Sequence, residues 1–352
     1  MGSIATDAAL DTLFLPLASG AIRLPDQGAL FLRARAGAWL HIWPRAKFHC
    51  MQTFLPLADA LTRAGEPVAP PPAEDRHFPL VLVLPPRQRD EARALLARAL
   101  RHALPGGIVV VSQSNNAGAR SGEADLERLA GPVQSLSKHK CRVSWTAPLG
   151  ASVDAGLALE WGALDALRPI AGGRYLSRPG LFAWDRIDAA SALLVSRLPD
   201  TLHGRVADLG AGYGYLACEV VRRCANVGAI DLYEAEQRAL EPARINVANA
   251  IRECDHAVAA ELLWHDVARG LPRRYDAIVS NPPFHHDRAD RPELGLAFIA
   301  AAADALVADG QLWLVANRHL PYEAMLAARF GEVRNVATQD GFKVIAAQGV
   351  RR

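Results

Sequence analysis

Two tandem doubly wound α/β domains, the first of them degenerate, are predicted by three features of this 352-residue chain. Strands and helices alternate from Gly204 to the C-terminus, part of that plan recurs in the N-terminal half, and one strand ends in Asn281-Pro282-Pro283-Phe284. Alternation of this kind implies right-handed crossovers and a mainly parallel sheet.

In the C-terminal half, residues 205–209 read as a buried strand, 216–223 as a helix, 227–233 as a strand and 235–250 as a helix. Residues 275–280 give the next strand, 294–308 a helix and 311–316 a strand again. Each strand is a short apolar run bounded by turn residues. In the N-terminal half, residues 78–86 read as a strand ending in Pro85-Pro86, 91–103 as a helix and 108–111 as a strand. Pro85-Pro86 precede Pro282-Pro283 by 197 positions, whereas Gly107 precedes Gly310, and Lys140 precedes Lys343, by 203. A constant offset with one short step is the pattern of a duplication with an insertion.

The copies differ in chemistry. Leu84 stands where the second copy has Asn281, and Arg87 where it has Phe284; residues 34–38 hold Gly37 alone where a glycine-rich turn would fall. Residues 1–150 are therefore expected to form a domain of the same type without its reaction site. Residues 151–180, rich in Gly and Pro, are expected to be a linker, and 181–352 the catalytic domain.

Composition narrows the classes. The chain is 51% hydrophobic and 22% charged, and contains no apolar run of transmembrane length. Its N-terminus lacks the basic stretch and apolar core of a secretory signal. Five scattered cysteines without a CxxC pair argue against a disulfide framework and a zinc site. A metal-free chain with no membrane association, working in the cytoplasm, is expected. The net charge of +2 conceals an asymmetry: residues 1–150 carry 17 basic and 12 acidic side chains, residues 151–352 carry 22 and 25. A polyanion would meet the first half preferentially.

Asp208-Leu209-Gly210-Ala211-Gly212-Tyr213-Gly214 lies between a strand and a helix. Glycine supplies the positive φ of a tight turn and lets the backbone approach a ligand, while the helix N-terminus offers free N–H groups. The G-x-G-x-G spacing differs from the dinucleotide fingerprint G-x-G-x-x-G, which favours another adenosine cofactor over NAD. Glu234, at the end of the next strand, is placed to accept ribose hydroxyls. Asp266 follows where an adenine amino group is read. In Asn281-Pro282-Pro283-Phe284 the prolines cannot extend a sheet. The chain leaves its strand on a rigid turn carrying one amide and one ring, suited to a flat, amine-bearing group.

These stretches resemble class I S-adenosylmethionine-dependent methyltransferases acting on exocyclic amines, and more narrowly the RsmC/RlmG type of ribosomal RNA guanine-N2 methyltransferase. The resemblance is carried by Leu176-Ser177-Arg178-Pro179-Gly180, Asp185-Arg186-Ile187-Asp188, the NPPF turn with His285, Val315 to Tyr322 and Gly341-Phe342-Lys343-Val344. It implies a Rossmann-like fold, S-adenosyl-L-methionine as cofactor, and Asp188, Asp208, Gly210, Gly212, Gly214, Glu234, Asp266 and Asn281 as cofactor-binding residues. Asp188 would lie near the methionine end. The segment between Ser177 and Asp188 is longer than in the family.

Chemically, Asn281 and the Pro282 carbonyl would accept both hydrogens of the amine and stabilise its developing charge, and Phe284 would stack on the base. His285 and His286 are expected as loop or substrate contacts. A paired base cannot reach such a pocket, so the nucleotide must be unpaired or flipped. The expected substrate is a guanine of small-subunit (16S) rRNA, with residues 1–150 positioning the RNA or serving as a scaffold. Large-subunit rRNA, or an adenine-N6 or protein-glutamine substrate, is the alternative enzyme reading, and a non-catalytic RNA-binding protein is a third.

Overall fold

The computed structural model describes residues 7–43, 47–283, 285–286, 289–290 and 292–351. It divides into two compact units, Met1–Ala166 and Leu167–Arg352.

In the first unit, β1 (Ala29–Leu32), β2 (Phe48–Met51), β3 (Phe78–Val83), β4 (Ala103–Ser114), β5 (Val133–Lys138) and β6 (Cys141–Thr146) form one sheet in the order β2-β1-β3-β4-β6-β5. The β2-β1, β1-β3 and β3-β4 pairs are parallel, and β4-β6 and β6-β5 antiparallel. In the second, β7 (Arg168–Ile170) and β8 (Tyr175–Ser177) make a small hairpin ahead of the main sheet. That sheet contains β9 (His203–Leu209), β10 (Asn226–Glu234), β11 (Ala259–Trp264), β12 (Tyr275–Ser280) and three later strands. A short antiparallel pair, β13 (His285–His286) and β14 (Ala289–Asp290), follows the NPPF turn. The later strands are β15 (Leu306–Asn317), β16 (Phe330–Gln339) and β17 (Phe342–Val350), and the sheet order is β11-β10-β9-β12-β15-β17-β16. Its first four joins are parallel and its last two antiparallel. The central strands β9 and β12 are buried on both faces at their C-terminal halves, as a sheet covered by helices on both sides requires.

The duplication is legible in the ladders. β3-β4-β6-β5 and β12-β15-β17-β16 share order and pairing sense. β3 and β12 begin at Phe78 and Tyr275, and β4 and β15 at Ala103 and Leu306, which keeps the offsets of 197 and 203. One expected equivalence fails. Ser114 pairs with Cys141 and Asn317 with Phe342, so Lys343 corresponds to Arg142, while Lys140 corresponds to Gly341. The connection into the last hairpin is two residues shorter in the second copy, and a fixed offset cannot follow that.

The expected linker, residues 151–180, is shared between the units rather than free. The Ala155–Gly162 helix buries Trp161 in the first unit's core, and β7-β8 buries Ile170 and Tyr175 in the second's. Its glycines Gly172, Gly173 and Gly180 are turn residues with positive φ, and the apolar residues between them hold the segment down. The helix expected at 294–308 runs Pro292–Ala305.

Candidate active site

The parallel strands of the second unit end together, and β9 lies where the strand order reverses, the place at which open α/β sheets bind ligands. Ser280 Oγ at the end of β12 donates to Leu209 O at the end of β9 (2.8 Å), tying the two strand ends beside Asn281. The glycine turn follows β9. Gly210, Gly212 and Gly214 all have positive φ (73°, 54° and 86°), which explains the three glycines. A Cβ at Gly210 would touch the Phe298 ring and one at Gly214 would touch Ala243, both at 3.4 Å, whereas one at Gly212 would project into open space.

Asp208 reaches across this turn. Its Oδ2 accepts from Ala217 N (3.0 Å) in the first turn of the Tyr215–Arg223 helix, whose own N-cap, Gly214, has no side chain to do so. Asp208 is wholly buried, and burial, reinforced by the charge of Glu234, pushes its carboxyl up to about 7. Its Oδ1 is buried with no hydrogen-bond partner. Glu234 folds towards the same turn: Oε2 accepts from Gly212 N (2.8 Å) and Oε1 from Glu236 N (2.7 Å). Burial raises the Glu234 carboxyl, against the opposing effect of those N–H bonds. Each carboxylate oxygen retains a second lone pair for a hydroxyl donor.

Asp188 is the N-cap of the Ala189–Arg197 helix, accepting from Ser191 N (2.8 Å). The same Oδ2 accepts from Asn281 Nδ2 (3.0 Å), and Ser191 Oγ lies 2.8 Å from Asn281 Nδ2. In both contacts Asn281 Nδ2 is the donor. The Asn281 amide group is therefore turned inward and its Oδ1 is left as the acceptor presented outward. Tyr213 OH donates to Arg186 O (3.1 Å), and buried Asn246 bridges Leu176 to Tyr213 O, so the segment carrying Asp188 is fastened to the glycine turn.

One cleft gathers Asp188, Ser191, Gly210, Gly212 and Asn281, with Phe182, Tyr213 and Tyr215 on its walls. Glu234 adjoins it through Gly212. Asp266 stands outside the lining, where it caps the Val267–Arg269 turn by accepting from Ala268 N (3.1 Å); β11 nonetheless ends beside Glu234. Pro282 is buried, and Phe284 lies outside the described residues. Ser191 and the aromatic wall went unnoticed in the sequence. The signal for Ser191 was its position three residues after a helix-capping Asp, and it carries no hint of Asn281. Among the described residues no group of His, Cys, Asp and Glu is arranged to hold a metal, and no helix is long and apolar enough to cross a membrane.

The first unit shows the same place filled in. Leu84, the counterpart of Asn281, is 1% exposed within the core. Arg33 takes the position of Gly210 at φ 56°. Gln52 follows β2 where Glu234 ends β10; it is buried, donating to Ala34 O and accepting from Thr53 N and Phe54 N.

A glycine turn closed by an orphaned buried carboxyl stands beside a strand-end amide held as an acceptor, and residues 173–346 match the methyltransferase small domain family. The chain belongs to the ribosomal RNA small subunit methyltransferase C family. It is 31% identical over 280 residues to that protein of Shewanella amazonensis, covering 78% of each chain. It is 27% identical to that of Psychromonas ingrahamii over 76% of this chain and 75% of the relative. The structure of T. thermophilus 16S rRNA N2 G1207 methyltransferase (RsmC), solved with AdoMet and guanosine, superposes with a TM-score of 0.78 at 25% identity, covering 97% of this chain and 91% of that one.

Proposed function

We propose that the second unit transfers a methyl group from S-adenosyl-L-methionine to the exocyclic N2 amine of a guanine in 16S rRNA. The observation that carries this is the polarity of Asn281. With Nδ2 donating to Asp188 and Ser191, the side chain offers an acceptor, which matches an amine and mismatches a carbonyl. The T. thermophilus relative, solved with AdoMet and guanosine, supports the cofactor and the base.

The residues fit the cofactor. Open space over Gly212, the unpaired Asp208 Oδ1 and the spare lone pairs of Glu234 provide for an amino acid and a ribose. We assign Asp208, Gly210, Gly212, Gly214 and Glu234 to holding it, with Asp266 at the adenine. Bound there, S-adenosyl-L-methionine supplies a methyl group already activated on a sulfonium. The protein then needs chiefly to align the nucleophile. Asn281 Oδ1 and the Pro282 carbonyl accept from the two amine hydrogens, directing the nitrogen and stabilising the positive charge it acquires. Phe284 is assigned the face of the base, worth about 1–3 kcal/mol as a stacking contact. No buried general base is required, because the methylated amine is acidic. Incubation with labelled cofactor and separated ribosomal subunits or their rRNAs tests the assignment. Label in 16S rRNA is expected; label confined to large-subunit rRNA, to DNA or to protein overturns it.

A further inference from the structure

Two amides stand at the C-terminal edge of the second unit's sheet, and the reaction above uses only one. Asn281 follows β12, and Asn317 ends β15, the neighbour of β12 on the side away from the glycine turn. We infer that Asn317 reads the target base: its amide takes the N1–H and O6 of the guanine whose N2 amine Asn281 holds. The inference deepens the guanine-N2 reading and rests on it.

Side-chain alternation puts the two amides on one face. Val279 pairs with Trp313 and Ser280 with Leu314, so Asn281 comes level with Val315. Val279, Trp313 and Val315 belong to the core layer covered by the Ala189–Arg197 helix, whereas Ile278, Leu312 and Leu314 belong to the other. A period of two therefore turns Asn281 and Asn317 to the helix side, where Asn281 meets Asp188 and Ser191. Asn317 lies one pleat beyond Val315. That makes it a diagonal neighbour of Asn281, about 7–8 Å away, a gap that the edge of a purine bridges.

Asn317 is half-buried, and among the described residues its side chain has no hydrogen-bond partner. Its backbone, in contrast, is fixed. It pairs with Phe342 in β17, Leu320 N donates to Asn317 O (3.1 Å), and Arg318 N donates to Gly341 O (2.8 Å). Lys343, with its side chain 4% exposed, donates to Leu320 O (2.6 Å) and pairs with Glu323, pinning the loop that follows. A rigid strand end with an unengaged amide is preorganised for a ligand. A guanine held by N2 presents N1–H and O6 next along the same edge, and a carboxamide offers the acceptor and donor that match them. The first unit has lost both amides. Leu84 replaces Asn281, and Ser114, which ends β4 as Asn317 ends β15, donates its hydroxyl to Asn116 Oδ1 (2.6 Å). Joint absence from the unit without a site ties Asn317 to the substrate rather than to the strand end.

The test crosses a protein change with a base change. The full chain and Asn317→Ala methylate 16S rRNA ligated with either guanine or 2-aminopurine at the position mapped by labelled transfer. 2-Aminopurine keeps the N2 amine and lacks both N1–H and O6. Asn317→Ala should lower kcat/KM on guanine by about 10- to 100-fold, the worth of a bidentate amide contact, with cofactor affinity as in wild type. The wild-type preference for guanine over 2-aminopurine should shrink by a similar factor in the variant, because differences in intrinsic reactivity cancel in the cycle. The isosteric Asn317→Asp, which keeps the shape but places an acceptor against O6, should lose at least as much on guanine. An unchanged preference in Asn317→Ala, or full activity of Asn317→Asp on guanine, overturns the proposal alone. Absence of transfer to guanine by the wild type overturns the substrate reading and the proposal with it.

Discussion

Replacing Ser191 with alanine isolates the mechanism by which Asn281 is oriented. Ser191 is buried and gives one of the two acceptors that hold Asn281 Nδ2, at 2.8 Å; Asp188 gives the other at 3.0 Å. A net neutral hydrogen bond contributes about 0.5–1.5 kcal/mol, and about 1.4 kcal/mol is a tenfold change in rate. Ser191→Ala should therefore lower kcat by about 2- to 10-fold. Asp188→Ala removes a charge-assisted bond of about 1.5–3 kcal/mol, which corresponds to about 10- to 150-fold, and also a helix cap worth about 1 kcal/mol of stability. The assay is steady-state methyl transfer to 16S rRNA with kcat and KM separated, alongside calorimetric cofactor affinity and thermal unfolding. Ser191→Ala should leave cofactor affinity and the melting point near wild type. In the Asn281→Ala background its effect on kcat should vanish, since there is no amide left to orient. An undiminished kcat in Ser191→Ala, or full additivity with Asn281→Ala, would refute the orienting role.

Gly212→Ala should cost about 1–2 kcal/mol of stability, from a φ of 54° that alanine resists, yet abolish most cofactor binding by filling the open side of the turn; a folded variant with normal affinity in calorimetry would contradict that. The Asp208 carboxyl, raised to about 7 from 3.8, keeps its proton more tightly in the folded chain. The stability it confers is complete below pH 4 and is lost as pH rises towards 7, by at most about 4 kcal/mol. Asp208→Asn should accordingly raise the melting point of the ligand-free chain at pH 8, with a gain that shrinks towards pH 5, and no gain at pH 8 would show that the charge is not buried. Leu84→Asn puts the catalytic residue type into the first unit's core, where an unpaired amide should cost about 2–5 kcal/mol in denaturant unfolding without adding a second activity. A variant of wild-type stability would mean that this place is not closed.

The sheet's interior was legible because its chemistry is local. Tyr275 to Ser280 is an unbroken run that a buried parallel strand needs, and the observed β12 has those bounds. The edge strands were not legible. β11 is Ala259–Trp264 with its first three residues exposed, and most of β16 is solvent-facing, so neither carries the apolar alternation that marks a strand. Within the site, the glycines and Asp208 could be found from spacing, because turn and strand end are adjacent in sequence. The Asn281–Asp188–Ser191 contact spans 93 and 90 residues and exists only once β12 and the Ala189–Arg197 helix are assembled. The filled counterpart in the first unit is hidden for the same reason: Gln52 matches Glu234 by sheet register, which no repeat of letters announces.

In the proposed reaction the Asn281 oxygen holds a guanine N2 amine for methyl transfer. Its most direct test is mass-spectrometric identification of the base methylated in 16S rRNA by the wild-type chain and by Asn281→Ala. Loss of an amide that stabilises developing charge is worth about 2.7–4 kcal/mol. N2-methylguanosine is therefore expected from the wild type, and on the order of 100-fold less or lower from a variant that still binds the cofactor. A methyl group on another atom, or undiminished N2-methylguanosine from Asn281→Ala, would contradict it.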